Sequence, residues 1–195
     1  MPKVNIGNTK IYFEIYGSEY TLSQYSAVKK PTIVALHGGP GVDHNYYDVE
    51  FLASASKYAQ VIFIDHRGNG QSVDLNPDHW NLKQWATDLH DFCEALSLEN
   101  PFIYGVSMGG FVAQLYGAMY PTEPAGIILV DTEAYLDIPA ILDKFEEIGG
   151  PEIRKIAYDH YYHPSEDVIN NFFEKCMPLG SHHPIPLSWM QRTIL

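Results

Sequence analysis

Ile103-Tyr104-Gly105-Val106-Ser107-Met108-Gly109-Gly110 is the stretch from which the rest of the chain is read. Apolar residues lead into Gly-x-Ser-x-Gly and a helical pattern follows at once, which is the order of elements a nucleophile elbow requires. A serine on that sharp strand-to-helix turn is expected to hold outlying backbone angles. Gly105 and Gly109 lie two residues to either side, where a side chain would crowd the turn. The hydroxyl is then pushed out of the carboxyl edge of a sheet, with a helix N-terminus and its dipole beneath it. An ordinary glycine-rich turn can carry the same spacing; the strand before and the helix after favour the nucleophile.

Downstream, residues 111–120 continue the helix and Pro121 stops it. Residues 125–130 are one more buried strand, ending at Asp131. Upstream, residues 101–104 are the strand into the elbow. Asn81 is a good N-cap with Gln84 three residues on. Leu82, Trp85, Ala86, Leu89, Phe92, Cys93 and Leu96 then follow helical spacing, which places Cys93 on a buried stripe as an inert thiol. Residues 61–64 and 31–36 are short continuous apolar runs, as expected of strands buried on both faces. The first runs into Asp65-His66-Arg67-Gly68-Asn69-Gly70-Gln71-Ser72. There Arg67 is expected to tie down loop carbonyls and a carboxylate such as Asp65, and Asp65 and His66 are expected to be turn residues. The second ends in His37-Gly38-Gly39-Pro40-Gly41, a turn whose main-chain N–H groups can point into a site. Phosphate binding is the weaker reading of these glycines, because no Lys-Ser/Thr follows them. Residues 46–58 pattern as a helix, residues 18–30 as a surface loop, and residues 2–17 as a hairpin turning near Asn8.

After Asp131 the pattern changes. Residues 138–178 read as successive helices broken at Gly149-Gly150-Pro151 and His163-Pro164, with no strand, and residues 178–186 as a Pro- and His-rich loop. His160/His163 and His182/His183 have no supporting carboxylate pattern, so no metal site is expected. The 46% hydrophobic content is ample for a core. A formal charge of −12, with twelve basic residues scattered along the chain, argues against nucleic acid or an anionic membrane as partner. Cys93 and Cys176 show no paired spacing, and no run reaches membrane-spanning length. A cytoplasmic protein without a cofactor is the expectation, and its oligomeric state is not legible.

Strand–helix alternation gives a mostly parallel α/β sheet with helices on both faces. The three turns, HGGPG at 37–41, DHRGNGQS at 65–72 and GVSMGG at 105–110, all follow strands, and in this order they resemble the α/β-hydrolase fold family over residues 2–133. The HGGPG form resembles the proline iminopeptidase branch, which removes an N-terminal proline from peptides. The resemblance implies a hydrolase core at 1–133 and, at 134–195, an incomplete helical cap-like segment inserted after the sixth strand, with the last strands missing. It implies Ser107 as catalytic nucleophile and the N–H groups of Gly39 and Met108 as the oxyanion hole, each donor typically worth about 3 kcal/mol in the barrier. It also suggests a cis Gly39–Pro40 bond. The family's acid and histidine should follow the serine. Here all nine histidines precede Ser107 or lie in the cap-like segment, so the triad histidine is not identifiable and Asp131 is the one candidate acid. Truncation is the simpler account, and the 195-residue chain alone is expected to be inactive, with residues 126–131 as a sheet edge. The expected activity is acyl transfer by a serine hydrolase on a small-molecule or short-peptide substrate, as an aminopeptidase. A carboxylesterase and a non-catalytic ligand-binding protein are the alternatives.

Overall fold

A computed structural model describes residues 2–39, 42–46 and 54–180. The expectations for Pro40 and its peptide bond, Gly41, most of the helix at 46–58, and the segment from 181 onward with His182 and His183 therefore lie outside the described residues. The chain forms two compact units, residues 1–134 and 135–195.

In the first unit the described strands are β1 (Lys3–Ile6), β2 (Thr9–Tyr16), β3 (Tyr20–Leu22), β4 (Ala27–Lys29), β5 (Thr32–Leu36), β6 (Gln60–Ile64), β7 (Phe102–Val106) and β8 (Gly126–Val130). The helices are α1 (Leu82–Ala95) and α2 (Met108–Met119). Six strands form one sheet in the order β1-β2-β6-β5-β7-β8. β1, β2 and β6 pair antiparallel, and β6, β5, β7 and β8 pair parallel. The continuous apolar runs are explained by burial on both faces. Val34, Leu36, Ile62, Ile64 and Ile103 pack in a cluster with Trp85, Leu89, Phe92, Val112 and Tyr116 of α1 and α2. Ala35, Val61, Phe63 and Val106 alternate with them and pack in a second cluster with Ala59. Among the described residues, both long helices of this unit, α1 and α2, belong to the first of these clusters.

Helix α1 starts where Asn81 caps it, its side chain accepting from the Gln84 N–H at 2.9 Å. Cys93 lies on the buried stripe, and burial pushes its thiol up to about 12. Residues 18–30 correct the loop expectation: β3 and β4 form a two-stranded hairpin, its turn closed by Ser23 N–H to Ser26 O at 2.8 Å. Every residue of both strands is exposed, so they carry no inward-outward alternation to read. β8 corrects the expectation of a buried strand: among the described residues it is the sheet's edge, and Ile127, Ile128 and Leu129 are 36%, 40% and 45% exposed.

The second unit holds α3 (Ile138–Tyr162) and α4 (Glu166–Lys175), and among its described residues no strand. Its core is Leu142, Ala157, Phe172 and Cys176. The break at Gly149-Gly150-Pro151 is a kink within α3, where Gly150 takes φ 81° and ψ −178°, a conformation costly for any residue with a Cβ. No described helix is long and apolar enough to cross a membrane.

Candidate active site

The sheet register sets the site. Leu36 pairs with Ile64 on one side and Gly105 on the other, and Val106 pairs with Val130. The four parallel strands thus end nearly level, and the residues just past their ends, His37, Asp65, Ser107 and Asp131, form one row along the carboxyl edge. The chain leaves β5 to one side for β6, then crosses to its other side for β7. That reversal is the switch point at which open α/β sheets leave a crevice for ligands.

Ser107 occupies this point between β7 and α2 with φ 50° and ψ −119°. A left-handed φ is strained for a serine, and its neighbours hold it there. Its N–H donates to Val130 O at 3.0 Å, and its carbonyl accepts from the Gly110 N–H at 2.9 Å and the Thr132 hydroxyl at 2.9 Å. The Ser107 hydroxyl makes no capping bond to α2, and the residue is half-buried, so its oxygen is not spent on the helix. The flanking glycines are required by close backbone approach. A Cβ at Gly105 would lie 2.4 Å from Gly109 O, and one at Gly109 would lie 2.3 Å from Leu36 O. The HGGPG loop passes beside the serine: a Cβ at Gly38 would sit 3.3 Å from Ser107 Cβ and 3.9 Å from its Oγ. Gly39 follows in a left-handed conformation with φ 129°. Met108 is the first residue of α2 and buried.

Those contacts carry the comparison with known proteins. Residues 31–152 match the family described as the alpha/beta hydrolase fold. The chain belongs to the α/β-hydrolase fold family. The chain is 33% identical over 150 residues to the proline iminopeptidase of Clostridium botulinum (strain Hall), covering 76% of this chain and 46% of that protein. It is 36% identical over 120 residues to the proline iminopeptidase of Clostridioides difficile (strain 630), covering 60% of this chain and 37% of that one. It therefore spans less than half of these curated relatives. Among solved structures, a proline iminopeptidase-related protein from Thermus thermophilus superposes with a TM-score of 0.65 at 22% identity, covering 87% of this chain and 58% of that one. A thermophilic esterase from Thermogutta terrifontis gives 0.66 at 22%, covering all of this chain and 66% of the other. These two show the shared fold.

The polar residues behind the row are mostly committed to holding α/β-hydrolase turns. Arg67 does not pair with Asp65, which corrects that expectation. Its Nε and Nη2 donate to the two carboxylate oxygens of Asp88 at 2.8 and 2.6 Å, and Nη1 donates to Asp74 and Asn8, both at 2.9 Å. Asp88 lies on α1, one turn beyond Gln84, so the fork binds the β6 turn to that helix. The Asp65 carboxylate instead accepts from His44 and from the Gln71 N–H. His37 and His66 are fully buried, and desolvation lowers the pKa of each, that of His66 well below 6.5, so both rings are neutral. Asp131, just past the end of β8, has φ 46° and is exposed. Among the described residues no histidine is hydrogen-bonded to the Ser107 hydroxyl. His44 is a residue the sequence did not single out: its partner lies 21 positions away, and nothing local signals the pairing.

Proposed function

We propose that Ser107 is the nucleophile of an acyl-transfer hydrolase and that the N–H groups of Met108 and Gly39 form its oxyanion hole. The observation that carries this is the Ser107 backbone at φ 50° and ψ −119°, with a hydroxyl uncommitted to the helix and the Gly38 backbone beside it. Donors on both sides of the attacking oxygen stabilise the charge that develops on the substrate carbonyl. A serine hydroxyl also needs an oriented base. The buried His37 is already committed through both ring nitrogens, and among the described residues no histidine is hydrogen-bonded to the Ser107 hydroxyl.

The substrate class follows from similarity to the two clostridial proline iminopeptidases, read together with the HGGPG loop. The proposed reaction is release of an N-terminal residue, proline above others, from short peptides. The test is made on the protein from the full coding sequence, with proline 4-nitroanilide and 4-nitrophenyl acetate as competing probes. The expected result is faster turnover of the proline amide. Turnover of the ester with none of the amide would replace the aminopeptidase reading by an esterase.

A further inference from the structure

The residues leaving β8 hold Ser107 through the peptide on each side of it. The Ser107 N–H donates to Val130 O at 3.0 Å, and the Ser107 carbonyl accepts from the Thr132 hydroxyl at 2.9 Å. The first bond belongs to the peptide plane before the serine Cα and the second to the plane after it. The angles φ and ψ are the rotations of those two planes about Cα, so residues 130 and 132 constrain both. They keep Ser107 at φ 50° and ψ −119°, a conformation that persists only where its surroundings over-determine it. Asp131, between them, takes φ 46°, which aspartate tolerates better than most residues with a Cβ. That left-handed turn lets the carbonyl of one neighbour and the side chain of the other reach the same serine.

Thr132 fits closely where it lies. A Cβ at Gly110 would be 2.4 Å from Thr132 Cγ2 and 2.6 Å from its Oγ1, so the second glycine of the Gly109-Gly110 pair leaves the room that the threonine side chain fills. Gln114, one turn further along α2, donates from Nε2 to Gly110 O at 3.2 Å and to Glu133 O at 3.1 Å, which ties residue 133 to the same helix turn. The Ser107 carbonyl also accepts from the N–H groups of Gly110 at 2.9 Å and Phe111 at 3.4 Å. Both of those donors belong to α2 and move with it. Among the described residues, the Thr132 hydroxyl is the one donor to this carbonyl from outside α2.

We infer that Thr132 is a positioning residue for the oxyanion hole. A trans peptide is planar, with its C=O and its N–H on opposite edges. The plane whose carbonyl Thr132 holds is the plane whose N–H belongs to Met108. The hydroxyl bond therefore fixes the direction in which the Met108 N–H points. This rests on the nucleophile and oxyanion-hole reading above. A donor aimed away from the developing charge loses value in the transition state, while contacts made elsewhere keep their affinity. The loss therefore falls on the chemical step.

The experiment uses the protein from its full coding sequence and a fluorophosphonate. In that reaction the serine oxygen bonds to phosphorus, fluoride leaves, and charge develops on the phosphoryl oxygen. The rate of inactivation at saturation and the half-saturating concentration are measured for the wild type, Ser107→Ala, Thr132→Val and Thr132→Ser, with urea denaturation of each. Thr132→Val keeps the branched shape and loses the hydroxyl. It is expected to slow inactivation at saturation about tenfold, less than the roughly hundredfold or more that loss of a whole donor costs, with half-saturation within about twofold. Thr132→Ser keeps the hydroxyl and loses the methyl, and is expected to stay within about threefold of the wild-type rate. A merely structural role would lower the urea midpoint of Thr132→Val and leave the rate of the folded protein unchanged. Wild-type rates in Thr132→Val, equal slowing by both variants, or a change confined to half-saturation would overturn the inference. Should Thr132→Val not fold, Thr132→Ala replaces it: slowing beyond that of Thr132→Ser supports the inference, and a rate equal to that of Thr132→Ser overturns it. Ser107→Ala tests the underlying reading separately. Labelling that persists there refutes the nucleophile, whereas its loss there with wild-type rates in Thr132→Val refutes only the role of Thr132.

Discussion

In the unit of residues 1–134, parallel strands deliver their carboxyl ends in register, and the elbow after β7 is fixed by backbone meeting backbone. Gly105 lies against Gly109, Gly109 lies against Leu36, and Gly38 lies against Ser107. In the unit of residues 135–195, the described core is three side chains on two helices with Cys176 just past the second, and the helix starts are fixed by side-chain caps. Asp137 accepts from the Ala140 N–H at 3.1 Å, and Ser165 accepts from the Val168 N–H at 3.3 Å. Where backbone touches backbone, only one residue type fits and the chemistry has one position. Where side chains fill the space, many sequences serve, and the segment's function is not written in any single residue.

Two substitutions test that contrast. Gly109→Val should be the more damaging, because its Cβ would meet two carbonyl oxygens, Leu36 at 2.3 Å and His37 at 2.6 Å, that belong to a central strand end and cannot move aside. A loss above about 4 kcal/mol is expected in urea denaturation, or failure to fold. A shift as small as that of a surface substitution would mean that the elbow tolerates side chains and that the contrast is false. Phe172→Ala, in the second unit, should cost about 3 kcal/mol by leaving a void among Leu142, Ala157 and Cys176. Hydrogen exchange should show the loss over residues 138–175 and leave β5 and β7 protected. Equal loss of protection in β5 and β7 would show that the two units share one cooperative core.

The same contrast explains what was legible in the sequence. Gly105, Ser107 and Gly109 announce the elbow because their spacing reports a local steric requirement. Asn81 with Gln84, and Gly149-Gly150-Pro151, mark a helix start and a kink for equally local reasons. Strands β5, β6 and β7 are legible as unbroken apolar runs because both of their sides are covered; β8 has the same kind of run, but its Ile127, Ile128 and Leu129 are exposed. The hairpin of β3 and β4 was not, since exposed strands carry no alternation. The partners of Arg67 and Asp65 were not either. An arginine in a turn declares that it needs carboxylates, but Asp88 is reached across the β6–α1 connection and His44 across the β5–β6 one, so which carboxylate serves is a property of the fold. Those partnerships are the part of the site that sequence spacing does not encode.

The most direct test of the central claim is the site of covalent modification. The protein from the full coding sequence is treated with a fluorophosphonate, digested and mapped by mass spectrometry, with the Ser107→Ala variant as control. The account predicts a single adduct on the peptide containing Ser107, absent from the variant, and a fall in the variant's turnover on the order of a million-fold. An adduct on a different residue, or turnover by Ser107→Ala close to that of the wild type, would contradict it.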